Sequence, residues 1–196
     1  MFKSGFVNII GLPNAGKSSI INRLLDDKFS IVTSKAQTTR HRAHAIINGE
    51  DFQVVISDTP GFTIPKNKIH EYMNKKILSS FKDADIILFI VELGAENRRD
   101  NQLIEKIKKI KIPVLLVLNK VDKVNQDILE EESNFWSNEI ENIETWVVSA
   151  KENFNIQNLK ARLIDLLTAG PKYFPDETWT DKSERFFVNV IIRDII

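Results

Sequence analysis

The chain is expected to fold as an α/β domain of three layers, with a mostly parallel six-stranded sheet, one antiparallel edge strand, and helices on both faces. Three observations predict this. Apolar runs of strand length alternate with stretches of helical periodicity. Two of the runs, Asp85–Val91 and Ile112–Leu118, are apolar at nearly every position, as parallel strands covered on both faces must be. The polar, motif-like stretches fall just after strands, at the carboxyl edge where open α/β sheets bind ligands.

The first strand, Gly5–Ile10, runs into Gly11-Leu-Pro13-Asn14-Ala15-Gly16-Lys17-Ser18. This is G-x-x-x-x-G-K-[ST], the phosphate-binding loop, and a helix with apolar positions at helical spacing follows over Ser19–Leu25. Strand, loop and helix together make an anion nest. Consecutive backbone N–H groups point inward, and the helix contributes the positive end of its dipole. Gly11, Pro13, Asn14, Ala15, Gly16, Lys17, Ser18 and Ser19 are the expected phosphate contacts. Lys17 would reach the β- and γ-phosphates and the Ser18 hydroxyl would ligate Mg²⁺.

Residues 26–42 are polar and hydroxyl-rich and read as a loop. Ala43–Ile47 and Asp51–Ser57 flank Asn48-Gly49, a hairpin signal, and should form the antiparallel edge. Asp58-Thr59-Pro60-Gly61-Phe62 follows, then a loop to about residue 68 and a helix to about residue 81. After the strand at 85–91 comes a helix at about 98–109. Its lysines 106, 108, 109 and 111 read as a solvated face and end. The strand at 112–118 ends in Asn119-Lys120-Val-Asp122, and a helix spans about 126–140. Glu144–Val148 is the last strand and ends in Ser149-Ala150-Lys151. A helix over 156–168 closes the domain, and Gly170-Pro171 stops it.

Residues 171–182, with two prolines and no periodicity, read as a linker after a nucleotide-binding domain at 1–170. Residues 183–196 read as the start of a strongly apolar helix with too little chain after it to bury its face. The expectation is that the chain is cut there and a second domain follows.

Equal numbers of basic and acidic residues, 27 each, argue against a stand-alone nucleic-acid binder held by bulk charge. The absence of cysteine excludes disulfides and thiolate-ligated metals. The N-terminal residues enter the first strand directly, leaving no room for a signal peptide, and no apolar run approaches the ~18 residues that span a bilayer. A cytoplasmic location is expected.

Asn119-Lys120-Val-Asp122 selects the base. A carboxylate at Asp122 can accept from both N1–H and the 2-amino group of guanine. Adenine offers neither, and the unpaired carboxylate would cost about 1–3 kcal/mol or more. Asn119 would tie the loop to the phosphate loop or to the base, and the Lys120 stem would lie over the ring. Ser149, Ala150 and Lys151 would line the base, with the Ala150 N–H offered to O6. Asp58 would hold Mg²⁺ through water, and the Gly61 N–H would sense the γ-phosphate. Thr39, with Thr38 close behind, would complete the metal shell. Loss of the γ-phosphate would release both loops, so Thr38, Thr39, Arg40, Asp58, Thr59, Pro60, Gly61 and Phe62 form the expected switch. Lys17, Gly61 and Thr39 are the groups expected at the reacting phosphate.

These residues resemble the translation-factor-related GTPases over residues 5–168, and within them the Era family. The narrower resemblance rests on Gly11–Ser18, Lys35-Ala-Gln-Thr-Thr-Arg-His-Arg42, Asp58–Phe62, Tyr173-Phe-Pro-Asp176 and Thr180-Asp-Lys-Ser-Glu-Arg185. It implies a P-loop NTPase fold, GTP/GDP and Mg²⁺ as cofactors, and GTP hydrolysis as a switch in small ribosomal subunit assembly and 16S rRNA maturation. It further implies that residues from about 183 open a KH domain contacting ribosomal RNA and the 30S subunit. No G-x-x-G loop for that contact lies in this sequence. Peripheral association with the inner face of the cell membrane is a further implication, and a monomer is expected.

Phe62 stands where a Ras-like enzyme carries a water-orienting glutamine. Slow intrinsic hydrolysis follows. In related GTPases an asparagine at the position of Asn14 helps to hold K⁺ beside the phosphates, which implies K⁺ as a further cofactor here. Arg40 and Arg42 are candidate arginine fingers by location alone. Two alternatives stay open: another ribosome-assembly or tRNA-modification GTPase, or a GTP-binding module with negligible hydrolysis.

Overall fold

The computed structural model describes residues 1–25, 43–58, 62, 68, 81–95, 100–141, 143–178 and 180. Its elements, numbered here in chain order, begin with β1 (Lys3–Gly11), α1 (Lys17–Leu24), β2 (Ala43–Asn48) and β3 (Phe52–Asp58). They continue with β4 (Ile86–Glu92), α2 (Asn101–Ile107), β5 (Val114–Asn119) and α3 (Gln126–Glu139), and close with β6 (Glu144–Val148), α4 (Ile156–Leu166) and β7 (Thr168–Ala169). The expectations for the loop at 26–42, for Thr38, Thr39 and Arg40, for Thr59, Pro60 and Gly61, for the helix before residue 81 and for the helix from 183 fall outside the described residues.

The strand order is β2-β3-β1-β4-β5-β6, parallel throughout except for β2 against β3. Alternate residues of the central strands serve opposite faces, as the two-residue period of a strand requires. Val7, Ile9, Leu88, Ile90 and Val117 pack with Ile20, Ile21 and Leu24 of α1 and with Ile156, Leu159 and Leu163 of α4. Ile10, Phe89, Val91, Leu116 and Leu118 pack on the other face with Leu103, Ile104 and Ile107 of α2 and with Trp136 of α3. This double covering is why β4 and β5 are apolar at nearly every position.

Helix starts follow local chemistry. The Asp100 carboxylate accepts from Leu103 N at 2.9 Å, and the Asn125 side-chain oxygen accepts from Ile128 N at 3.0 Å, each capping the helix that follows. α2 therefore starts at Asn101, inside the expected 98–109 range, and ends at Ile107.

Two expectations are corrected. The hairpin tip lies at Glu50-Asp51, because Asn48 stays in the ladder opposite Gln53 and Gly49 N donates to Phe52 O at 2.9 Å. Gly49 serves close approach: a Cβ there would stand 2.1 Å from the Phe52 ring. The last helix stops at Leu166, since Thr168 and Ala169 pair antiparallel with Ser4 and Lys3. They occupy the side of β1 that β4 takes from Val7 onward, so the six-strand path carries a short seventh strand and a second antiparallel pairing.

The segment read as a linker has ordered contacts along β1–β3. Gln53 is fully buried. Its amide nitrogen donates to Asn48 Oδ1 at 2.7 Å and to Phe174 O at 2.8 Å, and its oxygen accepts from Tyr173 N at 2.8 Å and Phe174 N at 3.0 Å. Asn48 Nδ2 donates to the Asp176 and Thr178 carbonyls at 2.7 and 3.1 Å. Thr180 bridges Ala45, and Tyr173 packs on Phe6 with ring centroids 4.8 Å apart.

Candidate functional site

The carboxyl ends of β1, β5 and β6 bring together three loops that lie far apart in the chain. The first, Gly11–Ser18, needs backbone conformations that side chains resist. Gly11 has φ 155° and Gly16 has φ 96°, and Asn14 adopts a left-handed φ of 62°. A Cβ on Gly11 would lie 2.3 Å from Ile90 O, and one on Gly16 would lie 2.2 Å from Asn119 Nδ2. Gly16 is the N-cap of α1 without a side-chain cap, so no side chain of its own covers the first-turn N–H groups. Lys17, 7% exposed, folds back over the loop: its Nζ donates to Leu12 O at 2.8 Å and to Gly11 O at 3.3 Å. A lysine held there can neutralise a phosphate seated against the loop N–H groups. Ser18 and Ser19 follow on the same first turn.

Asn119 joins the other two loops to the first. It is buried. Its Nδ2 donates to Ala15 O at 2.9 Å and its Oδ1 accepts from Ala150 N at 3.2 Å. Of the alternatives left open for this side chain, phosphate loop or base, the first has a bond here, and the same amide also reaches the Ser149–Lys151 loop. Lys120 has left-handed φ, 69°, which turns its stem out of the strand, and its Nζ donates to Asn14 O at 2.8 Å. Asp122 Oδ1 accepts from the Ser149 hydroxyl at 2.5 Å, and that hydroxyl accepts from Glu152 N at 3.1 Å. The carboxylate is thereby aimed, with its second oxygen available to a base. Ser149 is fully buried, and the Asn155 amide, donating to Val147 O at 3.0 Å, braces the turn behind it. Lys151 is exposed, and the neighbouring Glu152 carboxylate, 2.9 Å away, raises its ammonium above the usual lysine range.

Asp58 is the last residue of β3, the parallel neighbour of β1, so the backbone places it at the carboxyl edge that also carries the phosphate loop. Ser18 and Asp58 are hard oxygen donors of the type Mg²⁺ takes alongside phosphate oxygens and water. Phe62 N donates to Gly11 O at 2.9 Å, while its ring is 1% exposed and packs among the residues under α2. Lys106 stands 5.3 Å from the ring centroid. Lys108, Lys109 and Lys111, which follow α2, are exposed, with Lys108 held by Glu105 at 3.0 Å and Glu139 at 2.5 Å.

Sequence reasoning missed Glu92 and Arg23. Glu92, the last residue of β4, pairs with Lys120 Nζ at 2.6 Å. A charge closing an apolar strand at the ligand edge was its only signal. Arg23 lay inside a helical pattern and had none.

A family profile described as "50S ribosome-binding GTPase" matches residues 6–120. The GTPase Era of Clostridium acetobutylicum is 42% identical over 195 residues, covering 99% of this chain and 66% of the relative. The GTPase Era of Alkaliphilus metalliredigens is 40% identical over 194 residues, covering 98% and 66%. Among solved structures, Era in complex with MgGDPNP and nucleotides 1506–1542 of 16S ribosomal RNA superposes with a TM-score of 0.88 at 32% identity, covering 99% of this chain and 67% of that one. A point variant of Aquifex aeolicus Era bound to GDP·AlF4⁻ superposes with a TM-score of 0.87 at 32% identity, covering 98% and 66%. The chain spans about 66% of the length of these curated relatives. The likeness to the relatives covers 98–99% of the chain and not the phosphate loop alone, and on that footing the chain belongs to the Era family of GTPases.

Proposed function

We propose that this chain binds GTP with Mg²⁺ and hydrolyses it as a molecular switch in small ribosomal subunit assembly, with ribosomal RNA contacted through a KH module opening at about residue 183. The observation that carries the nucleotide reading is the Asn119 bridge. One buried amide links the phosphate loop at Ala15 to the peptide of Ala150, in a loop whose Ser149 aims the Asp122 carboxylate. That arrangement supports a purine with donors at N1 and C2, its phosphates in the Gly11–Ser18 nest. Ser18, Asp58 and Thr39 are the proposed Mg²⁺ donors, Asp58 through water, and bound Mg²⁺ would offset charge on the β- and γ-phosphate oxygens. Gly61 is the proposed γ-phosphate sensor; of the described residues, the one that follows it, Phe62, donates its N–H to Gly11 O of the phosphate loop. RNA and 30S binding rest on family membership and on the relative crystallised with 16S ribosomal RNA. Monomeric state and peripheral membrane association rest on the family resemblance. Among the described residues no helix is long and apolar enough to cross a membrane.

With Phe62 buried, the water needs another source of activation. Asn14, exposed at the tip of the phosphate loop, is the proposed K⁺ ligand, and the ion would place positive charge where an arginine finger acts. The test is single-turnover GTP hydrolysis with Mg²⁺ in KCl and in NaCl at equal ionic strength, beside Asn14→Ala, with ATP as competitor. Hydrolysis faster in K⁺, lost in the variant and indifferent to ATP, is the expected result. Competition by ATP at equal concentration would sink the guanine reading. Tight GTP binding without turnover in either salt would favour the second reading, a binding module, which the burial of Phe62 keeps open.

A further inference from the structure

We infer that Arg23 is a positioning residue for guanine recognition, holding the loop that reads the base from the helix that carries the phosphate site. The inference rests on the guanine reading above. α1 begins at Lys17 in the phosphate loop, and Arg23 lies in its last turn. The guanidinium donates from Nε to Ala150 O at 2.8 Å and from Nη2 to Lys151 O at 3.0 Å. Two donors of one rigid fork therefore meet two consecutive carbonyls, a geometry a lysine cannot reproduce. Ala150 is gripped on both sides: Asn119 takes its N–H and Arg23 its C=O. Both grips lead back to the phosphate loop and its helix, Asn119 to Ala15 just before α1 and Arg23 from the last turn of α1.

The packing accounts for the need. β6, which delivers Ser149–Lys151, is the edge strand of the sheet, two strands removed from β4 and three from β1. Its loop would otherwise be located relative to the phosphate site only through the sheet and through α4. Ala150 packs in the same cluster as Ile20, Ile21 and Leu24 of α1 and Ile156 of α4, and its carbonyl accepts from Arg23 of α1. The Arg23 side chain is itself largely exposed and adds little to the core. The fork thus sets the distance between the phosphate nest and the Ala150 N–H, which donates to Asn119 Oδ1 at 3.2 Å and would be shared with a 6-oxo substituent as a three-centre bond, without touching the nucleotide. Asp122 takes its bond from the Ser149 hydroxyl rather than from Ala150 or Lys151, so the fork acts first on the Ala150 peptide and only through it on the 2-amino contact.

That order supplies the test. Affinities of the full chain for GDP, IDP, 6-thio-GDP and ADP are measured by calorimetry for the wild type, Arg23→Ala and Arg23→Lys, with a thermal melt of each. IDP lacks the 2-amino group. 6-Thio-GDP keeps N1–H and the 2-amino group but replaces O6 with a weaker acceptor. Arg23→Ala is expected to weaken GDP about tenfold, the scale of one lost charge-assisted contact. It should also shrink the GDP over 6-thio-GDP preference to about one, while leaving the GDP over IDP ratio unchanged. Arg23→Lys should lie between, and supplies the reading should the alanine variant fold poorly. Equal weakening of GDP, IDP and 6-thio-GDP, or no weakening at all, overturns the role of Arg23 while leaving guanine recognition intact. A wild type that does not prefer GDP to ADP overturns the base reading, and the role of Arg23 with it.

Discussion

Gly16 has no side chain, and the Asn119 amide nitrogen occupies the space where one would be: a Cβ on Gly16 would stand 2.2 Å from Asn119 Nδ2. The second glycine of the phosphate loop is thus required as much by the base-side loop as by phosphate. Gly16→Ala would also place a Cβ at φ 96°, outside the range alanine favours. Loss of GDP binding by about 100-fold or more is expected, from strain together with the broken Asn119–Ala15 bond. Asn119→Ala should lose a similar factor and melt lower, because Ala15 O and Ala150 N both lose their partner. Calorimetry with GDP, beside a melting curve, checks both, and near-wild-type binding by either variant would refute the bridge.

Phe62→Gln should not restore glutamine-assisted hydrolysis. The ring is packed in the core, so a glutamine following the same backbone would bury an amide under α2. Destabilisation of about 2–4 kcal/mol is expected, from the lost apolar volume and an unpaired amide. Chemical denaturation and single-turnover hydrolysis measure the two effects. A stable variant with faster hydrolysis would show that this position can face the nucleotide.

Gln53→Leu tests whether the segment at 173–178 is held by side-chain amides. The substitution keeps volume and removes the partners of Tyr173 N, Phe174 N and Phe174 O, and the Asn48 amide oxygen loses its donor. A stability loss of about 2–4 kcal/mol is expected, together with faster amide hydrogen exchange at residues 173–178. Unchanged exchange there would mean that the Tyr173–Phe6 contact suffices.

Glu144 gives the fold a specific acid sensitivity. Arg162 meets its carboxylate with Nε at 2.8 Å and Nη2 at 2.9 Å, and Trp146 Nε1 donates at 3.0 Å. These bonds, the Arg162 pair foremost, hold its pKa below the ordinary value of 4.5. A depressed carboxylate pKa contributes stability above the unfolded value and loses it as pH falls through the folded one. Glu144→Gln should therefore be less stable than wild type near neutrality, with the gap closing below about pH 4.5. Denaturant midpoints at several pH values test this, and a gap constant with pH would assign the loss to packing instead.

The three loops of the site were legible because each is a local pattern whose chemistry depends on neighbours within a few residues. Gly11–Ser18 needs its glycines and lysine in one turn, and Asn119–Asp122 needs its carboxylate three residues after its amide. Segments held by side chain to backbone bonds left no such pattern. Residues 171–180 show no periodicity because their polar groups are met by Gln53 and Asn48, more than 100 positions away in the chain. The hairpin was visible, but its tip was misplaced, since Asn48 is needed in the ladder and its amide serves the segment at 176–178. Thr168 and Ala169 look like a helix end, yet pair with β1 because β4 leaves that edge open below Val7.

Burial period and loop chemistry are properties of the chain read locally, and they sufficed for the alternation of strands and helices and for the placing of Gly11–Ser18, Asn119–Asp122 and Ser149–Lys151 directly after strands. Which strand lies beside which is decided only when both sheet faces must be covered at once, because an apolar run encodes that it is buried but not by what. The order β2-β3-β1-β4-β5-β6 sets Ala15, Asn119 and Ala150 within bonding distance, although 104 and 31 positions separate them. The same packing turned Phe62 into the core and brought Arg23 to the carbonyls of Ala150 and Lys151, since side chains from distant elements meet only once those elements share a layer.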